Sequence, residues 1–551
     1  MKKYFLLLFI ISFSVYSFGQ IKESQAIDSI FTEWNKKDVP GCALGIIRDG
    51  KLIYAKGYGM ANMEYDIPNS ASSVFRIGST SKQFTAASIV LLAEKDKLSL
   101  DDNLKSLFPD FPKYAEKITI RHLLNHTSGI RDYLQISYLK GLGGDDYYTD
   151  DNVMNWLINQ TDLNFAPGEE YLYSNSGYWL LGQIVKKVAG MNMAEFAQKE
   201  IFEPLEMGNT HFHNDHTQIV KNRASGYTPD NNETYKISMT TLGMIGDGGI
   251  FTTINDIKKW DDAYYASNVL SREFWRIMTQ QGILNNGEVI DYASGLMISK
   301  HKGLRTVRHG GAFVGFRADL LRFPKQKLSI AIFANRSDAN PSRMANQVAD
   351  ILLKDQLIEK VPTKDKKVKI DITEDKFQLS QLVGDYEIQP GAVVRLSIKN
   401  DSLNVLQTWN KSTYNILKVS GNTFQISGNE NLSFSFSNLQ DGSTQILKVL
   451  QGDTETIAAR KKAFDISGIN LKDYIGSYYS DELDVNYNFE IENEILIVRI
   501  ENTTSTIQCT ISDIDQFSTK LGLVKFQRKD GNISSFKLDS GRVKNLKFNK
   551  K

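Results

Sequence analysis

Two cysteines are all that this 551-residue chain contains. A disulfide scaffold is therefore excluded. Cys42 lies in an apolar strand pattern and reads as a small core residue. Cys509 lies in a segment assigned to another domain, and neither has the surroundings of a catalytic thiolate. An excess of charge of one sign is also missing. The 65 Lys and Arg nearly cancel the 64 Asp and Glu, so there is no basic footprint for nucleic acid and no acidic tail. Long apolar runs are absent beyond the N-terminus, and no integral membrane segment is expected in the mature chain.

The N-terminus itself reads as a signal peptide over 1–19. Met1–Lys2–Lys3 is a basic leader, and residues 4–18 are an apolar stretch too short for an ordinary transmembrane helix. Ser17, Phe18 and Gly19 make an acceptable small-residue cleavage site. No Cys follows within reach, so the expectation is export to the periplasm or beyond, without a lipoprotein anchor.

Against these absences stands Ser79–Thr80–Ser81–Lys82, within FRIGSTSKQFTAASIVLLAEK. Positions i and i+3 share a helix face, and the apolar helical pattern begins here. A Ser hydroxyl and a Lys amine can thus point into one small volume, where the amine polarises the hydroxyl and the helix N-terminus favours developing negative charge. Ser-x-x-Lys alone is a weak signal, equally readable as a capping serine and a solvated lysine. Two further motifs strengthen it. Tyr173–Ser174–Asn175 follows a Pro-Gly turn and precedes an apolar helical run, which puts Tyr-x-Asn on a loop entering a helix. His309–Gly310–Gly311 lies in a β-rich stretch whose glycines would let a substrate approach the backbone.

Three motifs in this order resemble the serine β-lactamase and penicillin-binding-protein superfamily, nearest its class C β-lactamase, DD-peptidase, esterase and D-aminopeptidase branch. The likeness runs from about residue 25 to 355 and includes VPGCALGIIRDGKLIYAKGYGMAN, ITIRHLLNHTSGI and GDGGIFTTINDIKKW. It implies an α+β catalytic domain, an antiparallel sheet flanked by helices, over 20–356. It implies Ser79 as nucleophile, with Lys82 and Tyr173 sharing general-base duty and Tyr173 protonating the leaving group. It implies Asn175 on the substrate amide, and the N–H groups of Ser79 and Ala312 as oxyanion hole beside Gly310 and Gly311. No cofactor and no metal are implied. Most β-lactamases carry Lys-Thr-Gly at the third motif, and His309 is the weaker anchor for a carboxylate. The departure favours an amidase, peptidase or esterase over an efficient β-lactamase.

A competing motif is His211–Phe212–His213–Asn214–Asp215–His216, which spells the zinc signature of metallo-β-lactamase-fold hydrolases. That fold needs further ligands, and only His301 and His309 lie downstream. The expectation is a surface strand and turn on a solvated loop. His122 and His126 are expected to cap and pack a helix end, and Thr253 with Asp256 fits a capping box.

Past residue 356 the texture changes to a charged linker over 357–376, then to short alternating strands with Asn, Gly and Asp turns. These strands repeat. LVGDYEI at Gly384 matches YIGSYYS at Gly476, NDSLNVL matches NEILIVR, and NTFQISG matches DQFSTKLG, at offsets of 92 or 93. Two small antiparallel β-barrels of about eight strands are expected, over 377–462 and 463–551. GSYYSDELDVNY resembles the lipocalin-like C-terminal domains found behind this catalytic domain. Asp481, Glu482 and Asp484 read either as solvated acids on a hairpin turn or as a seat for a substrate ammonium.

The expected function is an exported serine hydrolase acting on a small peptide, amide or ester. D-aminopeptidase or other D-peptidase, esterase, DD-carboxypeptidase and β-lactamase are the candidates, in that order. A penicillin-binding-like recognition module with negligible turnover is the reading from another class. Nothing in the sequence specifies an oligomeric state.

Overall fold

A computed structural model describes residues 21–551 apart from 145, 231–233, 267, 359–376, 390–391, 409–411, 427–428, 452–453, 462–467 and 502. The expected signal peptide, and nearly all of the expected linker, lie outside the described residues. Among the described residues no helix is long and apolar enough to cross a membrane. They form two compact units, drawn from Met1–Asn103, Thr119–Thr127 and Gly177–Glu359, and from Leu104–Ile118, Ser128–Ser176 and Lys360–Lys551.

The first unit is built on a six-stranded antiparallel sheet, ordered Met297–His301, Leu304–Phe313, Phe316–Phe323, Leu328–Ala334, Cys42–Arg48 and Lys51–Tyr58. Its central strands read as unbroken apolar runs, CALGII and LSIAIFA, because helices cover both faces. Leu44, Ile46, Ile330 and Ile332 face Met344 and Val348 of helix Pro341–Leu352. On the opposite face Ser329 Oγ donates to Asp261 of helix Ile254–Tyr265 at 2.8 Å. A methyl on Gly45 would stand 2.3 Å from Ile254 Cγ2, so only glycine lets this helix seat. Helix Lys82–Glu94 is buried along residues 82–92. Its polar members are therefore bonded rather than solvated. Gln83 accepts from Trp260 Nε1 at 2.6 Å, and Thr85 donates to the Gly246 carbonyl at 2.6 Å.

The second unit holds both repeats. Strands between Gly384 and Arg460 form a closed eight-stranded barrel, sealed where Tyr386 pairs with Arg460. Strands between Gly476 and Lys550 form a nine-stranded sheet. Its edge strands Thr506–Gln508 and Thr510–Asp513 are consecutive in the chain, so it rolls nearly shut. The repeat seen in the sequence is conformational. Gly384 and Gly476 open their barrels at φ 151° and 145°, a backbone that disfavours a side chain. Two residues on, the buried Tyr386 and Tyr478 each send a hydroxyl back to a carbonyl four residues upstream, Leu382 and Tyr474, both at 3.0 Å. Asn400–Asp401 and Asn493–Glu494 are the matching turns, all four residues at positive φ. Cys42 and Cys509 are free and buried, and burial pushes both thiols up, Cys509 to about 12.

Candidate active site

Ser79 lies in a 3-10 turn, Gly78–Ser81, and Lys82 is the first residue of the helix that follows. The turn brings the two side chains together as the i, i+3 spacing predicts. Lys82 Nζ donates to Ser79 Oγ at 3.2 Å and to the Asp247 carbonyl at 2.6 Å. Lys82 has no exposed surface, whereas Ser79 is only half-buried. A buried amine costs stability unless its protons are used, and these acceptors, with the Tyr178 ring 5.5 Å from Nζ, meet that need. The Gly-rich turn around Asp247 is tied to the same helix start, since Ile250 N donates to Ser81 Oγ at 3.1 Å.

The third motif runs along strand Leu304–Phe313 against the Ser79 turn. A methyl on Gly311 would stand 1.9 Å from the Ile77 carbonyl oxygen, and one on Gly78, at φ 50°, would stand 2.8 Å from the Ala312 nitrogen. These glycines admit the protein's own backbone. A methyl on Gly310 would point the other way, into ordinary contact with Ser342 Oγ at 3.5 Å and Asp319 Oδ1 at 3.6 Å. Thr80 Oγ1 donates to the His309 carbonyl at 3.2 Å, which fixes the strand to the turn. His309 is buried, its Nε2 lies 2.8 Å from the Tyr292 hydroxyl, and its Nδ1 lies 2.6 Å from the Gly310 carbonyl. Burial, and then the Lys82 charge, push the imidazole down to about 3, so it is neutral at physiological pH.

The second motif falls in the other unit. Tyr173 is half-buried, and Asn175 opens helix Asn175–Ala189. One oxygen of the buried Asp132 accepts from Asn175 N at 2.8 Å and Nδ2 at 2.9 Å. The other oxygen caps helix Tyr133–Leu139 through Leu134 N at 3.0 Å. The Asn175 amide is thereby oriented by a residue that is itself fixed. The Arg542 guanidinium lies 4.8 Å over the Tyr173 ring.

Other residues singled out in the sequence find ordinary places. His122 completes a capping box with Thr119, and His126 packs 4.5 Å from the Tyr292 ring. Thr253 caps its helix through Asp256 N at 3.1 Å. The box is only half made, because the Asp256 carboxylate turns to Asn209 N at 2.7 Å. His211 and Phe212 form the expected strand, yet His211 and His213 are not solvated. They bond at 3.2 Å and pack on Phe251, and burial pushes His213 down to about 4. Glu482 is neither a solvated turn acid nor open to a ligand. It is buried and pairs with the buried Arg131 at 2.8 Å.

Asp247, Tyr292, Asp132 and Arg542 were not identified from the sequence. GDGGIFTT marked the first as part of a turn. The others carry no local motif, because each reaches its partner across the fold.

This turn and sheet define a serine hydrolase of the β-lactamase and penicillin-binding-protein type. The Beta-lactamase family model matches residues 26–353, more than half of the chain, and the protein belongs to that family. It is 31% identical to penicillin-binding protein 4* of Bacillus subtilis strain 168 over 64% of this chain and 81% of that one. It is 27% identical to the D-aminopeptidase of Gluconobacter oxydans strain 621H over 54% of this chain. It spans only 56% of that relative's length. Among solved structures, the octameric penicillin-binding protein homologue from Pyrococcus abyssi matches with a TM-score of 0.57 at 25% identity. That match covers 79% of this chain and 99% of the other.

Proposed function

We propose that the protein cleaves amide or ester bonds through an acyl-enzyme on Ser79, acting as a D-aminopeptidase, another D-peptidase or an esterase. The observation that carries this reading is the buried Lys82 amine, held 3.2 Å from Ser79 Oγ. The hydroxyl proton passes to neutral Lys82, or to the Tyr173 phenolate beside the Lys82 ammonium, as Oγ attacks the carbonyl. Tyr173 shares that transfer and returns the proton to the leaving amine or alcohol, and Lys82 and Tyr173 act as one coupled base. Asn175 bonds the substrate amide, and the N–H groups of Ser79 and Ala312 hold the oxyanion. Gly311 lets the strand close on the Ser79 turn, which sets the Ala312 N–H beside the nucleophile's turn.

Substrate choice follows from His309. A neutral imidazole already committed to Tyr292 and Gly310 offers no cation to a carboxylate. D-residue amides, N-terminal D-residues of peptides, and esters therefore suit the site better than β-lactams or peptide C-termini. The D-aminopeptidase among the relatives supports this choice. DD-carboxypeptidase or weak β-lactamase activity is the second reading, supported by the penicillin-binding relative. We further place the protein outside the cytoplasm on its N-terminal segment, with catalysis in 20–356 and two accessory barrels behind it.

Intact-mass spectrometry after exposure to a fluorophosphonate tests the core of this reading. A single adduct is expected on the parent and none on Ser79→Ala, which should also lose p-nitrophenyl ester hydrolysis while unfolding like the parent. Near-parental hydrolysis by Ser79→Ala would overturn it.

A further inference from the structure

The last hairpin of the second barrel, Asn532–Ser540 and Val543–Lys550, turns through only Gly541 and Arg542, with Gly541 at φ 53°. This tip is fixed by its backbone to the segment that carries the second motif. Asn164 Nδ2 donates to the Arg542 carbonyl at 2.9 Å, and Lys544 N donates to Asn164 Oδ1 at 2.7 Å. Gln135 Nε2 donates to Ser540 Oγ at 2.9 Å. The Arg542 side chain thus leaves an anchored turn, and where it goes is imposed by the barrel. It goes to two places at once. Its guanidinium lies 4.8 Å over the Tyr173 ring, and its Nη1 lies 3.3 Å from the Asp132 oxygen that holds Asn175.

We propose that Arg542 is a positioning residue for the second motif, through which the C-terminal barrel orients Tyr173 and lowers its proton affinity. A fixed cation over a phenol favours the phenolate and holds the ring by cation–π attraction. Asp132 opposes this in part, because its carboxylate neutralises some of the guanidinium charge. Arg542 lies over the Tyr173 ring and pairs with Asp132, and Lys544, two residues further along the hairpin, pairs with Glu170. The proposed mechanism adds the Lys82 ammonium, which acts in the same direction as Arg542. The proposal rests on Tyr173 being a proton carrier, so its test reads Tyr173 by itself as well as turnover.

The test follows the Tyr173 phenol by NMR of the ¹³Cζ-tyrosine-labelled full chain, assigned with Tyr173→Phe. With Arg542→Met, which keeps an unbranched apolar stem and loses the charge, the Tyr173 midpoint should rise by about one pH unit. The pH at which kcat/KM reaches half its plateau should rise with it, and kcat below that pH should fall roughly tenfold. Arg542→Lys should restore the midpoint more than the rate, since ammonium keeps the charge and loses the planar stack. An unmoved midpoint in Arg542→Met, with parental thermal unfolding, overturns the proposal. So does a lowered unfolding temperature with the midpoint unmoved, which would make Arg542 only a docking contact. A shifted midpoint with an unmoved rate profile upholds the Arg542–Tyr173 coupling and counts instead against Tyr173 as a base.

Discussion

The Tyr292 hydroxyl and the Gly310 carbonyl occupy both nitrogens of His309, at 2.8 and 2.6 Å. A carbonyl can only accept, so Nδ1 carries the proton and Nε2 accepts from the Tyr292 O–H. The imidazole is complete in its neutral form, and protonation would reverse the Tyr292 bond and set a second positive charge beside Lys82. The third motif is therefore a rigid, uncharged wall.

Substrate preference should follow that wall. The parent is expected to turn over a D-amino-acid amide with a higher kcat/KM than nitrocefin. His309→Lys should raise the relative rate on nitrocefin, since a charge-assisted contact is worth roughly 1.5–3 kcal/mol. The gain should fall short of that, because the new ammonium is buried near Lys82. Efficient nitrocefin hydrolysis by the parent would show that His309 does not set the preference.

Loss of the base should be shared. Lys82→Ala and Tyr173→Phe are each expected to cost roughly 10²–10⁴-fold in rate. The double variant should be little worse than the poorer single, as groups serving one proton transfer are not additive. Multiplicative losses in kcat/KM for a p-nitrophenyl ester would separate their roles.

Stability should fall in mild acid through buried histidine. The folded His309 binds its proton near 3 and His213 near 4, against an ordinary value of 6.5. Between these limits the unfolded chain binds more protons, so stability is full above 6.5 and drops as the pH falls. His309→Gln keeps one donor and one acceptor without a titrating group. It should lose less stability than the parent below pH 6.5, by up to about 1.4 kcal/mol for each pH unit. Parallel urea midpoints for the two proteins across this window would refute the assignment.

The buried Arg131–Glu482 pair should be worth more than any surface ion pair. Glu482 also accepts from Thr161 N and Oγ1, both at 2.7 Å. Glu482→Ala leaves Arg131 charged and buried, and should cost about 3–5 kcal/mol in denaturant unfolding. Glu482→Gln retains an acceptor for Thr161 and should cost less. A loss under about 1 kcal/mol would place the pair in the class of solvated bridges.

Some of this protein was determined by its sequence alone. Ser79 and Lys82 are three residues apart, so forming one turn is enough to bring hydroxyl and amine together. The barrel repeat was legible for the same reason. Each copy carries its own glycine, its own tyrosine two residues on and its own Asn-led turn, all short-range features. The family also followed from the spacing of motifs along the chain. What the sequence could not show is what depends on distant partners. His309 read as a largely neutral, weak anion anchor, but only burial and the Lys82 charge hold it neutral far into acid. His211 and His213 looked like solvated imidazoles until Phe251 covered them. Glu482 looked like a turn acid, and its Arg131 lies 351 residues away in the chain. Protonation, burial and pairing are set by groups brought close through folding, and no local pattern encodes them. Arg542 belongs with these: its place over Tyr173 comes from a hairpin docked by backbone hydrogen bonds.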